Sequence, residues 1–195
     1  MPPDHQRALL LELLELRGRR RQDCATEVDS WLPHAVGSDA LLAIRQPIAR
    51  RLMAHAPAMP GAESLIEHCH QQGIPMALVT SSGTESAAHK SAPHPWLQRI
   101  EMRVLGDDPD LKAGKPDPAP FRIAAERLGV LPQQCWALED SKAGTAADAA
   151  TALTGTGAGT GAGSIASYQS PYQQQVIDAT LQEFDRKTQI QKAQQ

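Results

Sequence analysis

The sequence has few cysteines, little net charge and no long hydrophobic run. Its three cysteines, Cys24, Cys69 and Cys135, are far apart and form no C-x-x-C pair, which argues against a disulfide framework and a zinc knuckle. The 19 basic and 22 acidic residues give a net charge of -3, so no overall field favours nucleic acid. No signal-peptide pattern and no membrane-spanning run is found. We therefore expect a cytoplasmic protein with neither a nucleic-acid nor a membrane partner.

The first part of the chain, residues 1–57, has a helical pattern and predicts a small helical subdomain. Apolar residues recur there at helical spacing in two stripes. The stripes are Leu9, Leu13 and Leu16, then Leu41, Ile44, Ile48 and Leu52. The cluster Arg17, Arg19, Arg20 and Arg21 between them is typical of the solvated C-terminal end of a helix.

Residues 58–153 alternate between helical and strand patterns, which is typical of a parallel α/β sheet. Helices are predicted over 61–72 and 118–128, each closed by a glycine, and strands at 74–80, 101–105 and 134–138. His68 and His70 in the first helix are two residues apart, so they point in different directions and predict a solvated face. Right-handed crossovers would place the three loops after the strands on one edge of the sheet, where such sheets bind ligands.

The end of the chain differs in composition from the rest. Residues 154–170 are rich in Gly, Thr and Ala and predict a flexible linker without a dinucleotide-binding G-x-G-x-x-G motif. Residues 171–195 predict a C-terminal amphipathic helix, whose apolar face carries Ile177, Leu181 and Phe184. This face predicts docking on a partner that the pattern does not identify.

Together the three loops offer the parts of a phosphate site that uses a metal. Thr80, with Ser81 next to it, supplies a hydroxyl at the end of one strand, and Lys115 supplies a positive charge. Glu139 and Asp140 are adjacent carboxylates that need a nearby cation. Mg²⁺ prefers oxygen ligands, so Asp140 is predicted to bind it directly and Glu139 through a water.

The motifs in these loops resemble motifs II, III and IV of the haloacid dehalogenase (HAD) superfamily. The stretches are ALVTSSG, GKPDPAPF and ALEDSKAG, and they are similar to the β-phosphoglucomutase-like phosphatase branch. The resemblance implies an α/β, Rossmann-like core, here an incomplete parallel sheet flanked by helices, with a partial N-terminal helical cap. It further implies that Thr80 holds a phosphoryl oxygen, that Lys115 stabilises a phosphoaspartyl intermediate, and that Asp140 and Glu139 organise Mg²⁺. The implied substrate is a small phosphorylated metabolite such as a sugar phosphate.

One motif of that family is missing from the sequence. Family members begin with a strand ending in D-x-D-G, whose first aspartate is the nucleophile, and no such motif precedes residue 61. Asp108-Pro109-Asp110 has the right letters but lies in the motif III loop, without the preceding strand. We therefore expect a phosphatase that is truncated at its N-terminus, and the absent nucleophile leaves open whether this chain is active or inactive.

Other interpretations remain open at this point. The acidic pair would also suit the N-terminus of the following helix. A non-catalytic HAD remnant that binds phosphate or Mg²⁺, a phosphomutase, and an interaction protein using the terminal helix are the alternatives. Dehalogenase chemistry is disfavoured, because halide displacement needs no metal and so leaves the acidic pair unexplained.

Overall fold

The computed structural model describes residues 15–139, 141–151, 155–156 and 186. These residues form six helices, four short strands and two 3-10 turns, in the following chain order. The elements are α1 (Arg21–Trp31), α2 (Ser38–Met53), α3 (Ala62–Gln71), β1 (Ala77–Val79), α4 (Thr84–Ser91), a 3-10 turn (Pro95–Arg99), β2 (Met102–Val104), α5 (Ala119–Leu128), a second 3-10 turn (Pro132–Gln134), β3 (Trp136–Ala137), α6 (Lys142–Ala150) and β4 (Gly155–Thr156). The alternation of helix and strand predicted after residue 61 is thus confirmed.

The N-terminal helices α1 and α2 pack against each other. The apolar stripe predicted from Leu41 to Leu52 lies within α2, and its members are partly buried. The turn between the helices is held by Asp29, whose carboxylate accepts hydrogen bonds from the backbone N–H groups of Val36 at 2.8 Å and Gly37 at 2.9 Å. The segment before residue 15, with most of the first predicted stripe, lies outside the described residues.

The strands form two parallel pairs. In the first pair Ala77, Leu78 and Val79 of β1 lie opposite Met102, Arg103 and Val104 of β2. In the second pair Trp136 and Ala137 of β3 lie opposite Gly155 and Thr156 of β4. Within the described ranges the two pairs are not joined by backbone hydrogen bonds. β4 falls inside residues 154–170, the segment expected to be a linker.

The core lies between α5, α6 and the strands. Phe121, Ala137 and Ala147 are buried together, and Val79 packs against them. Helix α5 contacts β1, β2 and α6, so it covers one face of both strands of the first pair. Gly129 ends α5 in the left-handed conformation, with φ of 69°, as its position after the predicted helix suggested.

Two surface features complete the fold. His68 and His70 are exposed on α3, which confirms the solvated face predicted for them. None of the helices in the described part of the chain has the length and apolar content needed to cross a lipid bilayer.

Candidate active site

Thr80 begins the loop after β1, and its backbone continues the pairing with β2. Its N–H donates to the carbonyl oxygen of Val104 at 3.0 Å. Its side-chain oxygen accepts a hydrogen bond from the N–H of Ser82 at 3.2 Å, which folds the loop back on itself. The hydroxyl of Ser81 donates to the carbonyl oxygen of Gly18. The loop is therefore shaped by hydrogen bonds to backbone atoms.

The loop after β1 and the loop after β2 are in close contact at Gly106. The N–H of Gly106 donates to the carbonyl oxygen of Ser82 at 2.9 Å. A Cβ atom at position 106 would lie 2.3 Å from the carbonyl oxygen of Ser81, which is a backbone atom with little freedom to move. Glycine is needed here because the two backbones approach so closely.

Asp107 and Asp108 have structural roles beside this contact. Both carboxylate oxygens of Asp107 accept a hydrogen bond from the N–H of Thr84, at 2.9 and 2.8 Å, and this bond lowers the pKa of Asp107. Asp107 thereby caps the first turn of α4. Asp108 accepts two hydrogen bonds from the guanidinium of Arg127, at 2.6 and 2.8 Å, and these lower its pKa. Arg127 also bonds Asp110 at 2.8 Å, so both acids of the Asp-Pro-Asp stretch are held by one arginine.

Lys115 lies between the ends of β1 and β3. Its side chain is 5% exposed. The ammonium group forms an ion pair with Glu139, donates to the carbonyl oxygen of Val79 at 3.3 Å, and lies 4.9 Å from the centre of the Phe121 ring. One buried cation thus connects the last residue of β1 with the acidic loop after β3.

The neighbours of Glu139 fix its orientation. Its carboxylate accepts a hydrogen bond from the hydroxyl of Ser141 at 3.1 Å, besides the ion pair with Lys115. Ser141 in turn accepts from the N–H of Gly144 at 3.0 Å and so caps α6. A Cβ atom at position 144 would lie 1.9 Å from the carboxyl carbon of Glu139, so this carboxylate lies against the first turn of α6 where only glycine leaves room.

A group of basic side chains lies at the outer side of the Thr80–Gly83 loop. The ammonium of Lys90 donates to the hydroxyl of Ser82 at 3.0 Å. Partial desolvation, together with the positive charges of Arg45 and Arg21, lowers the pKa of Lys90 to about 8. These charges come from α1, α2 and α4, so the helical subdomain contributes positive potential to the loop.

The family of the chain follows from comparison with known proteins. A family model described as a haloacid dehalogenase-like hydrolase matches residues 9–150. The chain belongs to this family. A hydrolase from Pseudomonas syringae has a similar fold, with a TM-score of 0.64, 22% identity, and coverage of 81% of this chain and 74% of that one. The predicted HAD resemblance and its α/β core are confirmed.

Two curated proteins similar to this HAD-like chain are named as phosphatases. A probable pseudouridine-5'-phosphatase of Drosophila melanogaster is 42% identical over 104 residues, which cover 51% of this chain and 45% of that protein. Hexitol phosphatase A of Escherichia coli (strain K12) is 39% identical over 89 residues, covering 45% of this chain and 39% of that protein. The chain thus spans less than half the length of these two relatives.

The HAD motifs predicted to meet can now be located. Lys115 and Glu139 are in direct contact, and Lys115 also donates to the carbonyl oxygen of Val79, the residue before Thr80. Ser81 is in the same loop, with its hydroxyl directed at Gly18. Asp140, the predicted direct ligand of Mg²⁺, lies outside the described residues. Glu139 and Ser141, its neighbours in the sequence, are described and hydrogen-bond to each other.

The described residues supply only part of a magnesium site. No group of three His, Cys, Asp or Glu side chains in the described ranges is arranged to hold a metal ion. The Glu139 carboxylate has the oxygen chemistry that Mg²⁺ prefers, but it is already paired with Lys115 and Ser141. A full ligand set would need Asp140 and further oxygen atoms.

Several residues at the site were missed or misread from sequence. Ser141 orients Glu139, and only its position before a helix signalled a cap. Lys90 reaches the loop from the far end of α4, and no spacing rule pointed to it. The expectation that the arginine cluster is solvated is wrong for Arg20, which donates to the carbonyl oxygen of Leu111 at 3.0 Å and lies against Gly114. Long-range packing of this kind leaves no periodic signal in the sequence.

Proposed function

We propose that the loops after β1 and β3 bind the phosphate group of a small phosphorylated metabolite, such as a sugar phosphate. The site would be the phosphate-binding part of a Mg²⁺-dependent HAD phosphatase. The position of Lys115 carries this proposal, because a buried ammonium between two loop ends is well placed to neutralise a phosphate. The phosphatase names of the relatives support the reaction class.

Each proposed residue has a role consistent with its contacts. Lys115 has three N–H donors, and its contacts with described residues use two of them, for Glu139 and Val79. The third would donate to a phosphoryl oxygen. Thr80 accepts a hydrogen bond from Ser82 and keeps its own hydroxyl proton to donate to phosphate. Ser81 would join it once its bond to Gly18 is exchanged.

Asp140 and Glu139 are the residues that would hold Mg²⁺ in this proposal, Asp140 directly and Glu139 through a water. The ion would supply positive charge next to the phosphoryl oxygens. Glu139 would then be shared between the ion and Lys115, which keeps the buried carboxylate neutralised in both states.

Hydrolysis by this route needs an aspartate nucleophile, and the sequence contains no D-x-D-G motif. We therefore propose that the 195-residue chain binds phosphate without turning it over. The second candidate function is a phosphate-binding protein that stays non-catalytic even when an aspartate nucleophile is supplied. It is favoured by the same missing motif.

Calorimetric titration of the full chain with inorganic phosphate, with and without MgCl₂, tests binding separately from turnover. We expect Mg²⁺ to strengthen phosphate binding, Asp140→Asn to remove that effect, and Thr80→Val to weaken phosphate binding severalfold. Asp39→Asn, an exposed carboxylate of α2, is the matched control and should change neither. If phosphate does not bind in the presence of Mg²⁺, the proposal fails.

A second experiment tests whether the site supports catalysis. Hydrolysis of p-nitrophenyl phosphate would be compared for the chain alone and for the chain fused at Met1 to an apolar strand ending in D-x-D-G. Turnover in the fusion, lost on replacing its first aspartate by asparagine, would support a phosphatase. Binding without turnover in a folded fusion would favour the non-catalytic candidate. Release of a phosphorylated isomer from a sugar phosphate, instead of inorganic phosphate, would indicate a phosphomutase.

A further inference from the structure

The outer face of β3 carries two large apolar side chains that are exposed. Trp136 is 75% exposed and Leu138 is 71% exposed, whereas Ala137 between them is 6% exposed. Successive side chains of a strand point to opposite faces, so Ala137 faces the core with Phe121 and Ala147. Trp136, and Leu138 just after the strand, are expected on the other side by the same alternation. Two large apolar side chains exposed this close together in the chain make this face a candidate interaction surface.

The neighbouring strand leaves this face uncovered. β4 pairs with β3, and the residue opposite Trp136 is Gly155, which has no side chain to pack against the indole. Leu131, just before the second 3-10 turn, is a further exposed apolar side chain, with 63% of its surface accessible. The face therefore needs a cover supplied by another element.

We propose that the C-terminal segment 171–192 docks as an amphipathic helix on this outer face of β3. The segment carries Ile177, Leu181 and Phe184 at helical spacing, which gives one continuous apolar stripe. Arg186, on the side of the helix opposite that stripe, is helical and exposed, as expected if the stripe faces the protein.

The course of the chain favours this segment over other occupants. Thr156 is paired beside Ala137, so the polypeptide leaves the sheet one strand away from the apolar face. In the sequence only residues 157–170 separate Thr156 from the segment 171–192, and so short a connection gives this segment a high effective concentration at the face. Glu15, where the first described range begins, forms an ion pair with Lys142 of α6. Helix α6 packs on the Ala137 face through Ala147.

Tryptophan fluorescence of the full-length chain tests this docking. In a Trp31→Phe/Trp96→Phe background Trp136 is the single tryptophan. We expect it to be shielded from acrylamide, and we expect Leu181→Asp/Phe184→Asp to increase quenching severalfold and to shift the emission to longer wavelength. The control Ala179→Asp/Gln182→Asp adds the same charges on the opposite side of the predicted helix and should leave Trp136 shielded.

Each of the other outcomes would overturn the proposal. If Trp136 is as accessible in the parent chain as in the Leu181→Asp/Phe184→Asp variant, the helix does not cover it. Shielding that disappears on dilution would identify a second copy of the chain as the occupant. Shielding that survives Leu181→Asp/Phe184→Asp at all dilutions, and is lost on replacing Leu9 and Leu13 by Asp, would identify the N-terminal segment.

Discussion

The two strand pairs of this HAD-like chain are stabilised in different ways. The first pair, β1 and β2, has three residue pairs in register, a fully buried Val104, and loops tied together by backbone hydrogen bonds at Gly106. The second pair, β3 and β4, has two residue pairs in register and a mostly exposed outer face. Its loop is connected to the first pair through the Lys115–Glu139 ion pair.

This difference shows that the site has one rigid half and one half that depends on charge. Backbone contacts hold Thr80 in place whatever the pH, since none of the groups involved titrates. Glu139 is held by a lysine and a serine, and its position depends on both. A ligand that competes for Lys115 would therefore change the second half more than the first.

The largest effect is expected from Lys115→Met. Removing one partner of a buried ion pair leaves the other charge uncompensated and costs about 3–5 kcal/mol. The free energy of unfolding in urea should fall by that amount, and Lys112→Met, at an exposed position in the same loop, should change it little. Hydrogen exchange should quicken more at Ala137 and Leu138 than at Leu78. An equal increase in the hydrogen-exchange rates of both strand pairs would contradict the division of the site into a rigid half and a charge-dependent half.

An intermediate effect is expected from Gly106→Ala in the rigid half. The new Cβ meets the backbone of Ser81, which cannot rotate away, so the loops must separate at a cost of about 1–3 kcal/mol. Gly144→Ala should cost less in stability, because the clash is with the Glu139 side chain. It should instead disturb the ion pair with Lys115. Thermal unfolding of both variants checks that Gly106→Ala lowers the stability more. A larger loss of stability for Gly144→Ala would contradict this prediction.

The smallest effect concerns Lys90 beside the rigid loop. Its folded-state pKa of about 8 is below the value of about 10.4 expected in the unfolded chain, so the unfolded state binds the proton more tightly. The free energy of unfolding should therefore rise as the pH increases from about 8 towards 10.4. NMR of methylated lysines would follow the titration, and Arg45→Met should raise the pKa. An unchanged pKa in that variant would exclude Arg45 as a cause.

The order and type of most described elements could be predicted from the sequence. Glycine after the helical patterns marked the ends of α3 and α5, and short apolar runs marked β1, β2 and β3. β4 was missed, because Gly155 and the other glycines of this stretch have low strand propensity and Thr156 alone gives no strand pattern, so the pairing forms only where β3 offers an edge. Arg20 was misread as solvated for a similar reason, since its partner, the Leu111 carbonyl, is distant in the chain.

The sequence by itself determined the residue types at the site, a hydroxyl, a lysine and an acidic pair at the ends of predicted strands, because strand and helix periods are local properties of the chain. Only the tertiary structure decided that Lys115 pairs with Glu139, that Ser141 and Gly144 hold that carboxylate in place, and that Ala137 is the residue of β3 that faces the core. Contacts between distant residues depend on how the elements pack, and packing is a property of the whole fold.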